Sequence, residues 1–157
     1  MKSILHLDTL IEMALYEDLR TDGDVTSDAI FHDETYGYRL VSKDSGILCG
    51  IDIFKRVMET VDNLITVSAH FKDRDPISRG DIIADVSGPV KSILKAERPA
   101  LNLLSHLSGI ATKTALFTSE TGGRCMVIDT RKTLPGYREL QKYAVLCGGG
   151  GNHRMGL

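Results

Sequence analysis

The sequence predicts a mixed α/β protein in two parts: an α+β part with short antiparallel strands, followed by the beginning of a parallel α/β unit. Three features predict this class. Apolar residues recur at spacings of three and four in several segments, as on one face of a helix. Short apolar or alternating runs lie between these segments, bounded by glycine and aspartate turns. Beyond residue 109, helical and strand-like segments alternate.

Length and composition limit what such a protein can be. The chain has 157 residues, 42% of them apolar, which suffices for one ordinary core or a small domain plus part of a second. Its net charge of −2 provides no basic field for nucleic acid or an anionic membrane. The longest run without charged residues, Pro99 to Thr112, is shorter than the roughly 20 apolar residues that span a bilayer. Since the N-terminus has no signal-peptide pattern, we expect a cytoplasmic protein without nucleic-acid or membrane partners.

The first third of the chain is predicted to contain a helix, a turn and a hairpin. Apolar residues from Leu5 to Leu19 lie on one helical face. Residues 22–27, rich in Asp, Gly and Thr, predict a turn. Residues 36–42 have the composition of a strand, and the turn at 44–46 leads into the short apolar run 47–49, so we expect a hairpin there.

The central segment is predicted to contain a helix, two strands and a long helix. The residues from Ile51 to Val61 carry a second apolar helical stripe, and Leu64 to Phe71 alternates as a half-buried strand does. A further strand is expected over residues 82–86. Gly88 and Pro89 then mark the start of a long helix whose apolar positions extend to Leu107.

Beyond Gly109 the pattern changes to that of a parallel α/β unit. A helix is predicted over Ile110–Thr118, a buried strand over Met126–Ile128 and a helix over Glu139–Val145, which a glycine run follows. The second part of the protein therefore begins near residue 109.

The three cysteines do not predict a metal or disulfide framework. Cys49, Cys125 and Cys147 are far apart and lack Cys-x-x-Cys spacing. Because free cysteine is among the most buried residue types, all three are expected to be buried reduced thiols. No residue is assigned as a metal ligand.

Two adjacent cations follow the predicted strand at 126–128, in the segment Asp129-Thr130-Arg131-Lys132-Thr133. The carboxyl ends of strands are where α/β folds place ligands, so the segment is a candidate anion site. A solvated loop whose Arg and Lys face water explains the same residues about equally well.

The run Gly148 to Gly151 leads into Asn152, His153 and Arg154. Glycine backbone can approach a ligand closely, and an imidazole beside a guanidinium suits a carboxylate or phosphate. A helix C-cap extended by a glycine hinge is the competing interpretation. The run lacks the Gly-Lys-Ser/Thr ending of a nucleoside-triphosphate loop.

Several segments, taken together and in order, resemble the quinolinate phosphoribosyltransferase family. The resemblance spans essentially the entire chain. It is carried by Gly23-Asp-Val-Thr-Ser27, Gly46-Ile-Leu-Cys-Gly50, Glu97-Arg-Pro-Ala-Leu-Asn102, Ser108-Gly-Ile-Ala-Thr112, Asp129-Thr-Arg-Lys-Thr133 and Asn152-His-Arg-Met-Gly-Leu157.

The resemblance implies an N-terminal α/β sandwich domain followed by an incomplete α/β barrel, with the active site at the barrel mouth across a dimer interface. Residues 1–108 resemble the first domain, and residues 109–157 resemble the opening of the barrel. Family members run to nearly twice this length. We therefore expect a fragment with negligible turnover by itself and a homodimer or higher homo-oligomer as the partner state.

The resemblance also implies roles for individual residues. The residues matched to binders of the quinolinate carboxylates are Arg131, His153 and Arg154, with Thr130 supplying backbone contacts. Two arginine forks and a protonated histidine suit this planar dianion. Lys132 matches a catalytic residue near the phosphoribosyl diphosphate. Arg98 matches the catalytic and substrate-binding arginine that enters the neighbouring subunit's site.

The implied reaction transfers a phosphoribosyl group from phosphoribosyl diphosphate to quinolinate. Decarboxylation then gives nicotinate mononucleotide, diphosphate and carbon dioxide, a step of NAD biosynthesis. Mg²⁺ is the expected cofactor, bound mainly through the diphosphate.

Two alternatives stay open from the sequence. A related protein associated with molybdate transport shares the fold and a similar Thr-Arg-Lys-Thr segment, although Asn152 and Met155 favour the quinolinate enzyme. The chain could instead be a non-catalytic dimerisation module.

Overall fold

The fold, described for residues 6–156 in a computed structural model, consists of helices packed on two small sheets. Leu5 and Leu157 lie outside the described residues. The helices are α1 (Leu7–Leu19), α2 (Val25–Ile30), α3 (Ile51–Val61), α4 (Val90–Thr121) and α5 (Arg138–Cys147). The strands are β1 (Thr35–Val41), β2 (Gly46–Ile47), β3 (Thr66–Ala69), β4 (Pro76–Ile77) and β5 (Ile82–Pro89). The predicted mixed α/β class is confirmed.

Strand β5 organises the larger sheet because it pairs on both sides. The order is β1-β5-β3 and both pairings are antiparallel. Thr35 lies opposite Pro89, and Thr66 lies opposite Ser87. The buried positions of β5 face the core, where α3 and α4 pack.

The predicted hairpin between residues 36–42 and 47–49 is wrong. Strand β2 pairs with β4 instead, with Gly46 opposite Ile77. The backbone nitrogen of Ile47 also donates to Thr112 Oγ1 on α4 at 2.9 Å. Gly46 permits this approach, since an added Cβ would lie 2.4 Å from the same oxygen. Strand β2 is therefore held against α4, and β1 is left free to pair with β5.

Two further local predictions need correction. Residues 22–27 are not a simple turn, because the Asp24 carboxylate accepts from the Ser27 backbone at 3.0 Å and caps α2. A separate helix over 110–118 is also wrong, since α4 continues from Val90 to Thr121 as one helix. The predicted boundary near residue 109 therefore lies within α4, and no break in this helix marks it.

The segment 126–128 is neither a regular strand nor buried. It makes one parallel bridge, between Ile128 and Gly151, and Met126 and Ile128 are 77% and 52% exposed. Cys125 is exposed as well, contrary to the expectation for the thiols, whereas Cys49 and Cys147 are buried. Apolar sequence alone predicted burial, but within residues 6–156 no neighbouring strand covers this segment.

None of the helices described between residues 6 and 156 combines the length and the apolar character that crossing a membrane requires.

Candidate active site

The two cationic segments lie side by side because their backbones pair. Gly151 donates its N–H to the Val127 carbonyl at 2.8 Å, and Asp129 donates back to the Gly151 carbonyl at 3.1 Å. This short parallel contact sets the start of the 129–133 loop beside the 152–154 segment. The structure thus brings together two segments that the sequence separates by helix α5.

A buried ion pair lies beneath the two segments. Lys142 Nζ on α5 is 2.5 Å from Asp129 Oδ1, and the two side chains are 1% and 6% exposed. The same ammonium donates to the His153 carbonyl at 2.9 Å. Asp129 Oδ1 also accepts from the His153 backbone at 2.8 Å. One lysine and one aspartate therefore join α5 to both segments.

Asn152 completes the hydrogen bonding of this aspartate. With its amide nitrogen turned toward its acceptors, it donates to Asp129 Oδ2 at 2.8 Å and to the Lys142 carbonyl at 3.0 Å. Both carboxylate oxygens of Asp129 then have donors. A buried carboxylate with this many partners is a positioning group and does not need a ligand of its own.

Arg138 lies one turn before Lys142 on α5 and hydrogen-bonds to both the 129–133 loop and the residue that follows Arg154. Its guanidinium donates to Thr133 Oγ1 at 3.2 Å, to the Arg131 carbonyl at 3.5 Å and to the Met155 carbonyl at 3.3 Å. Arg138 therefore spans from the 129–133 loop to the residues after Arg154.

The predicted site residues of the 129–133 loop differ in whether their polar groups have hydrogen-bond partners. Thr130 Oγ1 accepts from the Lys132 backbone at 3.1 Å, and the Lys132 side chain is exposed. Arg131 is half-buried, and its Nε is buried without a hydrogen-bond partner among residues 6–156. A buried guanidinium nitrogen without an acceptor is costly, so the site suits an anion there.

His153 and Arg154 are exposed beside this loop. The Arg154 backbone donates to His153 Nδ1 at 2.9 Å, so Nε2 is the ring nitrogen left to donate to a ligand. His153 still offers one ring N–H as a donor.

The glycine run combines both interpretations that the sequence left open. Gly148 caps α5 and Gly149 has a φ of 83°, as expected of a helix end. An added Cβ at Gly148 would lie 2.2 Å from the Ala111 carbonyl oxygen and 2.6 Å from Thr114 Cβ. The run therefore packs tightly against α4, and its glycines allow backbone contact with the helix rather than flexibility.

Arg98 stands apart from the other predicted residues. It lies on α4, its side chain is 74% exposed, and its Nε is 3.8 Å from Asp18 Oδ2. It borders a cavity of about 340 Å³ that extends toward the residues following the 129–133 loop. That cavity is also lined by Asp18, Asn102, His106, Leu134 and Tyr137.

Comparison with known proteins identifies the family. The family model "Quinolinate phosphoribosyl transferase, N-terminal domain" matches residues 24–108, and the model of the C-terminal domain matches residues 110–157. The chain belongs to the quinolinate phosphoribosyltransferase family. The resemblance that the separate motifs carry is confirmed.

Members of the quinolinate phosphoribosyltransferase family match this chain along nearly its whole length. A probable nicotinate-nucleotide pyrophosphorylase (carboxylating) of Bacillus subtilis (strain 168) is 41% identical over 159 residues, covering 98% of this chain and 53% of that protein. A chloroplastic nicotinate-nucleotide pyrophosphorylase (carboxylating) of Arabidopsis thaliana is 42% identical, covering 96% and 43%. The crystal structure of NadC from Streptococcus pyogenes has a TM-score of 0.93 at 40% identity, covering 99% and 56%. The chain spans about half the length of the curated relatives it matches.

Three residues that organise the site in this family member were missed in the sequence: Asp129 as an anchor, Arg138 and Lys142. A signal existed on α5, where Arg138 and Lys142 share one face, opposite the apolar stripe of Leu140, Ala144 and Cys147. Such a basic face is ordinarily solvated, so only the fold reveals that Lys142 is buried.

Proposed function

We propose that this chain is the substrate-recognition part of a decarboxylating quinolinate phosphoribosyltransferase. Residues 1–108 would form its N-terminal sandwich and dimerisation domain, and residues 109–157 the opening of its catalytic barrel. In the proposed reaction the quinolinate ring nitrogen attacks the anomeric carbon of phosphoribosyl diphosphate, and diphosphate leaves. Loss of the 2-carboxylate as carbon dioxide then gives nicotinate mononucleotide, and no enzyme nucleophile is required.

The observation that carries this proposal is the buried Nε of Arg131, which lacks an acceptor within residues 6–156. Quinolinate is a planar dianion, and a guanidinium fork forms bidentate, charge-assisted hydrogen bonds with a carboxylate. Arg154 and the ring N–H of His153 lie on the segment paired beside the Arg131 loop. We propose that these three residues bind the carboxylates, with the Thr130 backbone supporting them.

The other two predicted residues serve the second substrate and the dimer in this proposal. Lys132 has an exposed ammonium on the same loop, where it can reach the phosphoribosyl diphosphate as a catalytic cation. Arg98 has a largely exposed side chain on α4, which supports its entry into the neighbouring subunit's site as a catalytic and substrate-binding residue. A homodimer would therefore be part of the mechanism.

Magnesium does not fit the acidic group of the described site. Asp129 is already paired with the buried ammonium of Lys142 at 2.5 Å, and that positive charge would repel a second cation there. We propose instead that Mg²⁺ enters with phosphoribosyl diphosphate, bound mainly through phosphate oxygens and water, and neutralises charge on the leaving diphosphate.

Isothermal titration of quinolinate into the 157-residue chain tests the recognition step. Arg131→Gln should weaken binding by roughly 10- to 100-fold, the equivalent of one bidentate charged contact. Arg79→Gln removes the same charge from an exposed turn distant in sequence and should leave the affinity unchanged. Equal losses in both variants, or equally tight binding of succinate, would contradict a dedicated site at Arg131.

A parallel assay for nicotinate mononucleotide, with phosphoribosyl diphosphate and magnesium, separates recognition from turnover. Binding without turnover supports a recognition part that needs further residues for chemistry. Neither binding nor turnover would favour the non-catalytic dimerisation alternative. Selective binding of molybdate in place of quinolinate would favour the transport-associated relative.

Mixing variants tests the role of Arg98. Arg98→Ala and Arg131→Gln chains should each bind quinolinate weakly, whereas a mixed dimer would contain one site in which both arginines are intact. Partial recovery of tight binding on mixing is the expected result. If mixing restores nothing while sedimentation shows that mixed dimers form, Arg98 does not act across the interface.

A further inference from the structure

A second cluster of reactive groups lies away from the cationic segments. Cys49 lies two residues before the start of α3, Asp73 lies between β3 and β4, and Cys147 ends α5. The two Sγ atoms and a carboxylate oxygen of Asp73 all lie within 4.8 Å of one another. Cys49 and Cys147 are 0% and 6% exposed, and Asp73 is half-buried. The chain thus gathers two thiols and a carboxylate from three distant segments.

The carboxylate of this cluster is held in a fixed orientation. Asp73 Oδ1 accepts from the backbone nitrogens of Gly50 and Ile51 at 2.7 and 2.9 Å. Asp73 Oδ2 accepts from the Tyr143 hydroxyl at 2.6 Å. A carboxylate has about four lone-pair sites, so it can keep these bonds and still donate to a metal ion. Hydrogen-bonded carboxylates of this kind are usual around metal ligands.

We propose that Cys49, Asp73 and Cys147 form a binding site for a thiolate-preferring divalent transition metal of the Zn²⁺ class. Two sulfur ligands and one oxygen ligand match the donor preference of zinc, and a water molecule would complete four-coordination. Binding would release the thiol protons of Cys49 and Cys147 to solvent, as coordination by thiolates requires.

A metal in this place would be structural. It would join the N-terminus of α3, the β3–β4 loop and the C-terminus of α5, which leads directly into Gly148 to Gly151. The site involves none of the residues assigned to quinolinate or phosphoribosyl diphosphate. Metal binding and substrate binding can therefore succeed or fail separately.

Cobalt titration of the full 157-residue chain tests the proposal. The chain is reduced, freed of reductant and titrated with Co²⁺ without oxygen. One Co²⁺ per chain should bind with a sulfur-to-cobalt charge-transfer absorption, and Zn²⁺ should displace it. Cys147→Ala should weaken Co²⁺ binding by roughly 100-fold or more, because it removes a direct ligand. Loss of a residue that only hydrogen-bonds to a ligand already costs about 10- to 100-fold in metal affinity. Cys125→Ala removes an exposed thiol outside the cluster and should bind as the parent does.

A second measurement needs no substitution at the cluster. With Zn²⁺ present, native alkylation of Cys49 and Cys147 by iodoacetamide should slow, while alkylation of exposed Cys125 should not change. The absence of a charge-transfer band, an affinity unaffected by Cys147→Ala, or no protection by Zn²⁺ would each overturn the proposal. A mass loss of two hydrogens with Cys49 joined to Cys147 before any metal binds would also overturn it, in favour of a disulfide pair.

Discussion

Replacing Lys142 with Met should destabilise the chain more than any ordinary change of a helical lysine. The substitution removes the ammonium 2.5 Å from Asp129 Oδ1 and leaves that carboxylate in a position where its side chain is 6% exposed. Loss of one partner from a buried ion pair costs about 3–5 kcal/mol. Asp129 keeps its hydrogen bonds from His153 and Asn152, so we expect about 3 kcal/mol, the lower end of that range.

Urea unfolding followed by circular dichroism measures this cost. With a slope of about 2 kcal/mol per molar urea, the unfolding midpoint should fall by about 1.5 M. Lys55→Met is the matched control, since it also removes a helical ion pair, with Glu59 at 3.7 Å, but at a site where the lysine is 50% exposed. That control should cost no more than about 0.5 kcal/mol.

The double variant Lys142→Met with Asp129→Asn separates the ion pair from simple packing. It removes both charges, so no buried carboxylate is left unpaired, and it should be more stable than the sum of the single losses predicts, by about 2 kcal/mol. A cost below about 1 kcal/mol for Lys142→Met, or simple additivity of the two single losses, would show that Lys142 and Asp129 are not a coupled buried ion pair.

Two further predictions concern other parts of the fold. Gly148→Ala should cost about 2–3 kcal/mol, because its Cβ would lie 2.2 Å from the Ala111 carbonyl oxygen. Gly109→Ala should instead stabilise α4 by about 0.5–1 kcal/mol in thermal unfolding, because the structure described for residues 6–156 places no neighbouring atom within 4 Å of the added Cβ. The Ser92 hydroxyl donates to Asp62 at 2.6 Å and lowers the pKa of that carboxyl below its ordinary value of 3.8. The stability that this bond contributes is present above pH 3.8 and is lost as the pH falls through the folded-state pKa. Ser92→Ala should therefore flatten the dependence of the unfolding free energy on pH below about pH 4.

Either of these predictions can fail clearly. Equal effects of alanine at Gly148 and Gly109 would show that the glycine run does not need its close contact with α4. Parallel acid profiles for the parent chain and Ser92→Ala would show that the hydroxyl does not set the pKa of Asp62.

Local sequence was sufficient for α3, for the middle of α5 and for the identity of the site segments. The apolar stripe of Ile51 to Val61 predicted α3, and the residues from Glu139 to Val145 predicted the middle of α5. Helical spacing depends on neighbours three and four positions apart, so it can be recognised without knowing the fold. The pairing of β1 with β5 could not be predicted in this way, because short strands have several possible partners of similar composition.

The sequence by itself determined the family, the mixed α/β class and the cations assigned to the substrate, since each depends on residue types in a fixed local order. Only the tertiary structure decided that Lys142 is buried against Asp129, that Arg131 has a buried nitrogen with no acceptor among residues 6–156, and that Cys49 and Cys147 meet at Asp73. These contacts join segments far apart in the chain. Burial and pairing in such contacts are properties of packing, which no local spacing specifies.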